Sequence, residues 1–263
     1  MKNHFLELLA AGRVALGAQL RFGVPAIAEL FAMAGFDFIV IDAEHAPQTP
    51  VGIQAQLQAV PGTNCTPIVR FGRNDPDEIR LALDMGAGGV LIPLVRTADD
   101  ARRAMQACRY PPHGTRSYGP SRAHQYGFDR DYYPRSQPSV ACLVIIETAE
   151  AIENIDAILA VDGLDSFIIG PADLSIALGV PLDTQHPKVT QATDTVLAAA
   201  RRAGKPAGLV YNPSEPALMQ RQVEQGARVL LASGDEWMLH DACQKVLASA
   251  AGLRMDKVTA RPK

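Results

Sequence analysis

The stretch FIVIDAEHAP, Phe38 to Pro47, passes without a break from four apolar residues to Asp42, Glu44 and His45. Ionisable groups set so closely at the end of an apolar run are costly to bury without partners, which makes them candidates for chemistry. Further along, Arg70 stands inside the run PIVRF, Glu147 ends ACLVIIE, and Asp173 lies in GPADLS, directly after SFIIG. In a parallel sheet Glu147 and Asp173 would reach the ends of neighbouring strands, about 4.8 Å apart. Two carboxylates so placed repel unless a cation lies between them. Hard oxygen ligands, with the other positions left to water and substrate, suit one Mg2+, Mn2+ or Co2+ ion. The alternative is that Glu147 caps the next helix and Asp173 is a surface charge at a helix start.

His45 has two carboxylates that could serve its ring. Asp42 is three residues away, and Asp84, near the end of the helix before the fourth strand, could fold back to it. A carboxylate partner raises the basicity of an imidazole and fixes its tautomer; without one, His45 reads as a satisfied core histidine. Arg70 in an apolar strand calls for an anion, either a developing oxyanion or a structural ion pair with Asp42 or Glu44. Pro171 fits the first position of a helix, whose free amides at Ala172 and Asp173 would suit a substrate carboxylate. The lysines, at 2, 188, 205, 245, 257 and 263, all fall outside the strand runs. Schiff-base chemistry needs a desolvated lysine, so a metal is the expected electron sink, and no organic cofactor is called for.

These residues must be positioned by a sheet, and the chain supplies one. Eight β-rich runs, at 14–20, 38–42, 67–71, 89–95, 141–147, 166–170, 207–211 and 228–233, alternate with segments of helical period. Near-continuous apolar strands between helices predict a parallel sheet covered on both faces, and eight such units are the repeat of a (β/α)8 TIM barrel. Residues 1–263 read as one barrel domain, with the active site at the C-terminal ends of the strands. Helix starts are marked by Thr97 with Asp100, a capping-box spacing, and by Asp75 ahead of Pro76. One connection, Tyr110 to Ser139, is long, rich in proline and tyrosine, and without a sustained period. It reads either as a functional loop or as a structural or interface segment.

With 48% hydrophobic residues, 20% charged residues and a net charge of -3, the composition points to neither nucleic acid nor a polybasic membrane anchor. No apolar run approaches the roughly 18 residues of a membrane span, and Glu7 and Arg13 interrupt the start too early for a secretory segment. Cys65, Cys108, Cys142 and Cys243 show no metal spacing and are expected to be reduced thiols in a cytoplasmic protein.

In sequence the chain resembles the HpcH/HpaI metal-dependent pyruvate aldolases. The resemblance is carried by AGFDFIVIDAEHAP, PIVRFGRNDPDEIRLALDMGAGGVLIPLV, ARRAMQACRYPPHGTRS, IETAEAIENIDAILAVDGLDSFIIGPADLSIALG and QHPKV, in family order. It implies the barrel of the phosphoenolpyruvate/pyruvate-binding type. It further implies His45 as a general base acting through a water, Asp84 raising its basicity, Asp42 beside it, and Arg70 stabilising the transition state. By the same likeness Glu147 and Asp173 hold the divalent metal, Glu44 holds bound water, and the Ala172 and Asp173 amides seat the substrate carboxylate. A homo-hexamer, a trimer of dimers, would place the last helix, EWMLHDACQKVLASAAG, on a neighbour. The expected reaction cleaves 4-hydroxy-2-oxo acids to pyruvate, or hydroxypyruvate, and an aldehyde. A 3-hydroxyacyl-CoA ester lyase and a non-catalytic 2-oxo acid binding barrel are the alternatives. Ile145 stands where many members have glutamine, Gln19 where a tryptophan is common, and the middle of the long loop matches poorly; with Val210, these positions bear on substrate choice.

Overall fold

The computed structural model describes residues 3–211 and 216–250. Its strands are β1 (Ala15–Leu20), β2 (Phe38–Asp42), β3 (Thr66–Arg70), β4 (Gly89–Ile92), β5 (Ala141–Ile146), β6 (Ser166–Ile169), β7 (Ala207–Tyr211) and β8 (Ala227–Gly234). Each pairs in parallel with the next, and β8 returns to β1, closing the barrel. Helix α1 (His4–Ala10) precedes β1; α2 (Pro25–Ala34), α3 (Pro50–Ala59), α4 (Pro76–Asp84) and α5 (Ala98–Cys108) follow β1 to β4 in turn. The short α6 (Tyr132–Ser136) leads into β5, and α7 (Ala149–Glu153) and α8 (Ile155–Leu159) leave it. Then α9 (Pro171–Ala177) and α10 (Pro187–Ala203) follow β6, α11 (Pro216–Glu224) follows β7, and α12 (Asp235–Ser249) follows β8.

Apolar side chains on both faces of the strands explain why the sheet closes rather than lying open. One set, including Val40, Ile68, Leu91, Leu143 and Val229, packs with Phe38 and with Phe5 of α1. Phe5 and Phe38 meet edge to face at 5.1 Å. Gly17 makes room for them, since a Cβ there would come within 2.3 Å of the Phe38 ring. A larger set, including Ile41, Val69, Val90, Val144 and Ile169, packs against helix residues such as Ile79 and Val196. Helix starts follow local chemistry: Thr97 and Asp100 form the capping box, and the Asp75 carboxylate accepts from the Asp77 and Glu78 amides.

β4 stops at Ile92, three residues short of the apolar run. Pro93 has no N–H for the ladder, and Leu94 then turns into the left-handed region at φ 55°. The connection from Tyr110 to Ser139 folds under the N-terminal end of the barrel. There Ser121 Oγ donates to the Asp84 carbonyl, and Arg122 donates to the Met85 and Leu57 carbonyls. Tyr110, Tyr118, His124, Tyr132 and Tyr133 stack there, with ring centroids 4.0 to 6.1 Å apart. All four cysteines are thiols, and among the described residues no helix is long and apolar enough to cross a membrane.

Candidate active site

Asp42 ends β2 and Arg70 ends β3, and the sheet register makes them direct partners. Arg70 grips the carboxylate with two nitrogens, Nε to Oδ1 at 2.9 Å and Nη2 to Oδ2 at 2.6 Å. Arg21, just past the end of β1, donates from Nε to Oδ2 at 2.9 Å, and Gln19 donates from Nε2 to the same oxygen at 2.6 Å. The amides of Glu44 and His45 donate to Oδ1 at 3.1 and 3.2 Å, which fixes the turn after β2. Burial alone would raise the Asp42 carboxyl, but the Arg70 guanidinium, helped by the His45 amide and Arg21, holds it far below the usual carboxylate range. Asp42 is therefore a fully buried anion with its lone pairs used.

Two expectations about His45 are not met within one chain. Asp42 holds the backbone of His45, not its ring, because two guanidinium groups take the carboxylate oxygens in preference to an imidazole. Asp84 lies at the end of α4, on the opposite side of the barrel, where its carboxylate meets the fully buried Arg116 side chain at 2.7 Å. The carboxylate that faces the ring is Glu44, 3.6 Å from His45 Nε2 and 3.4 Å from Arg70 Nη1. Its carboxyl is raised by burial, and by the Asp42 and Asp173 carboxylates, against the pull of Arg70. The His45 side chain is 53% exposed, open to the mouth of the barrel.

Across the mouth, Glu147 follows the last residue of β5 and is 6% exposed. The backbone N–H of Leu94 donates to its Oε1 at 2.7 Å, so the left-handed turn after β4 aims an amide at this carboxylate. Burial raises the Glu147 carboxyl, and the Asp173 and Glu44 carboxylates add to that rise, while the Leu94 amide and Arg70 oppose it. A Cβ on Gly170 would lie 3.2 Å from Glu147 Oε2, so the chain passes close to this oxygen. Asp173 is in the first turn of α9, whose first backbone bond runs from the Leu174 amide to the Gly170 carbonyl. Among the described residues no three His, Cys, Asp or Glu side chains form a metal cluster. The pair alone still fits a hard divalent ion, because the two carboxylates repel each other at one mouth and Oε2 accepts no hydrogen bond among the described residues.

Ile145 is buried among the side chains inside the barrel, against Gly170. Pro171, Ala172 and Val210 lie on the lip of a groove of about 860 Å³ that runs outward past α10, α11 and α12, beside the carboxylates rather than over them. Four contributors were not singled out from the sequence: Arg21, Leu94, Asp235 and Glu236. Asp235 accepts from the Arg21, Phe22 and Glu236 amides, and Glu236 pairs with the Arg21 guanidinium. A basic residue one step past strand one and an acidic pair after strand eight were the available signals; the closure that joins them was not readable.

Residues 21–234 match the family described as HpcH/HpaI aldolase/citrate lyase. A "4-hydroxy-2-oxo-heptane-1,7-dioate aldolase" of Salmonella paratyphi B is 40% identical, over 96% of this chain and 100% of the relative. Among solved structures, an HpcH/HpaI aldolase/citrate lyase family protein from Burkholderia cenocepacia J2315 superposes with a TM-score of 0.91 at 32% identity, over 95% of this chain and 100% of the other. An HpcH/HpaI aldolase from Desulfitobacterium hafniense DCB-2 does so with a TM-score of 0.87, also at 32% identity, over 95% and 97% of the two chains. On these matches, over a closed eight-stranded barrel, the chain belongs to the HpcH/HpaI aldolase/citrate lyase family.

Proposed function

We propose that this protein is a metal-dependent aldolase that cleaves, or forms, 4-hydroxy-2-oxo acids, with pyruvate or hydroxypyruvate as one product and an aldehyde as the other. The observation that carries the reading is the facing of two groups across one mouth: His45, Glu44 and Arg70 on the β2–β3 side, and Glu147 with Asp173 on the β5–β6 side. Glu147 and Asp173 would hold one Mg2+, Mn2+ or Co2+ ion. Such an ion would polarise the 2-oxo group and lower the cost of negative charge on its oxygen. The amides of Ala172 and Asp173 would seat the substrate carboxylate.

His45 takes the proton of the C4 hydroxyl through a water, with Glu44 holding the ring side of that path. As the proton leaves, the C4–O bond becomes the aldehyde carbonyl and the C3–C4 bond breaks. Its electron pair passes into the enolate of the 2-oxo acid. Arg70 stabilises the negative oxygen; Asp42 fixes two of its nitrogens and leaves Nη1 toward the mouth. Protonation of the enolate at C3 completes pyruvate. The assembly is proposed as a homo-hexamer, a trimer of dimers, in which α12 packs on a neighbour. Trp237, Leu239 and Val246 are more than half exposed on that helix. Chelated protein is expected to release no pyruvate from a 4-hydroxy-2-oxo acid in a lactate-dehydrogenase-coupled assay, and added Mn2+ is expected to restore it. Full turnover after chelation would overturn the metal role.

A further inference from the structure

The end of β1 offers hydrogen-bonding atoms that the proposed reaction has not used. Gln19 Nε2 and Arg21 Nε both bond Asp42 Oδ2, the oxygen that Arg70 Nη2 also bonds. The three side chains therefore converge on one oxygen, and Gln19 and Arg21 flank the arginine that stabilises the reacting centre. Gln19 must turn its amide nitrogen to the carboxylate, which leaves Oε1 as an acceptor with no partner among the described residues. Arg21 uses Nε on Asp42 and Nη1 on Glu236, leaving Nη2 as a donor without a partner among them. Both residues are only partly buried. The eight strands run around the mouth in chain order, so β1 lies across from β5, whose end carries Glu147, with Asp173 one strand further on. With the 2-oxo acid end held at that pair and the breaking bond beside Arg70, the aldehyde portion extends toward β1.

Charge decides what kind of aldehyde suits this end. Four carboxylates, Asp42, Glu44, Asp235 and Glu236, gather here around two guanidinium groups, Arg21 and Arg70, and the half-exposed His45 ring beside Glu44, with Asp235 held by backbone amides alone, so acid outnumbers base at this end. A further carboxylate on the aldehyde would be repelled, and an alkyl chain would leave the Gln19 and Arg21 atoms without partners. A hydroxyl satisfies both at once, donating to Gln19 Oε1 and accepting from Arg21 Nη2. We infer that Gln19 and Arg21 are the specificity-determining residues for the aldehyde, and that they select a neutral, hydroxylated one. This rests on the aldolase reading above.

The test is condensation of pyruvate, in the Mn2+-loaded protein, with glyceraldehyde, propanal and succinic semialdehyde in parallel. Glyceraldehyde is expected to give the highest kcat/KM. In Gln19→Leu and Arg21→Leu, its ratio to propanal is expected to fall about tenfold relative to wild type, the loss of one hydrogen bond. A general loss through Asp42 would lower both rates and cancel in the ratio. An unchanged ratio in both variants, or a wild-type preference for succinic semialdehyde, overturns the inference while leaving the aldolase reading intact. Condensation with none of the three overturns both.

Discussion

Asp42→Asn would leave the Arg21 and Arg70 guanidinium groups beside each other without the buried charge they share. Breaking a buried pair in this way is expected to cost about 3 kcal/mol, read as a lower Tm and denaturant midpoint. An unchanged Tm would contradict the role given to this carboxylate. The same logic sets a pH dependence with opposite signs at two places. Asp42 is depressed, so its contribution is present above the ordinary value of 3.8 and is lost as pH falls through the folded value. Glu147 and Glu44 are raised, chiefly by burial, so the metal-free fold holds their protons more tightly than the unfolded chain does. Metal-free stability therefore falls as pH rises from 4.5, the ordinary glutamate value, through their folded values. Metal competes with those protons, so Mn2+ affinity, measured by calorimetry, is expected to rise over the same interval. Affinity independent of pH there would remove Glu147 from the ligand set.

At the scale of elements, two loops set the Glu147 carboxylate. The turn after β4 supplies the Leu94 amide, and the entry to α9 brings Gly170 alongside. Gly170→Ala would put a methyl 3.1 Å from Glu147 Cβ and 3.2 Å from Oε2, tighter than side chains normally pack. It is expected to weaken Mn2+ binding about tenfold by moving the carboxylate, with the fold intact by circular dichroism. Wild-type affinity in that variant would show that Glu147 has room to move. The eight strands were legible because their apolar runs are continuous and bounded by helix signals, and β2 and β7 match the sequence reading residue for residue. The end of β4 was not, because an apolar run does not distinguish a strand from a strained turn packed in the same core. Register is also silent in one sequence. That Asp42 faces Arg70 follows from pairing across β2 and β3, and the reading of Asp42 as a ring partner for His45 failed for want of it.

Over the whole molecule, chemistry and support are divided between the two ends of the barrel. The N-terminal end carries the aromatic loop, the Asp84–Arg116 pair and the Phe5 plug. The other end gathers Asp42, Glu44, His45, Arg70, Glu147 and Asp173 from four separate βα units. The sequence revealed those residues through charged types at the ends of apolar runs. It could not assign Asp84 to the far end, since its distance from His45 depends on which side of the sheet a helix terminates. The central claim is that the mouth generates an enolate. Its most direct measurement is exchange of the methyl protons of pyruvate with D2O by NMR, with and without Mn2+, on wild type and His45→Ala. The account predicts exchange that requires the metal and is lost in the variant. Absence of exchange with any divalent metal, or exchange undiminished in His45→Ala, would contradict it.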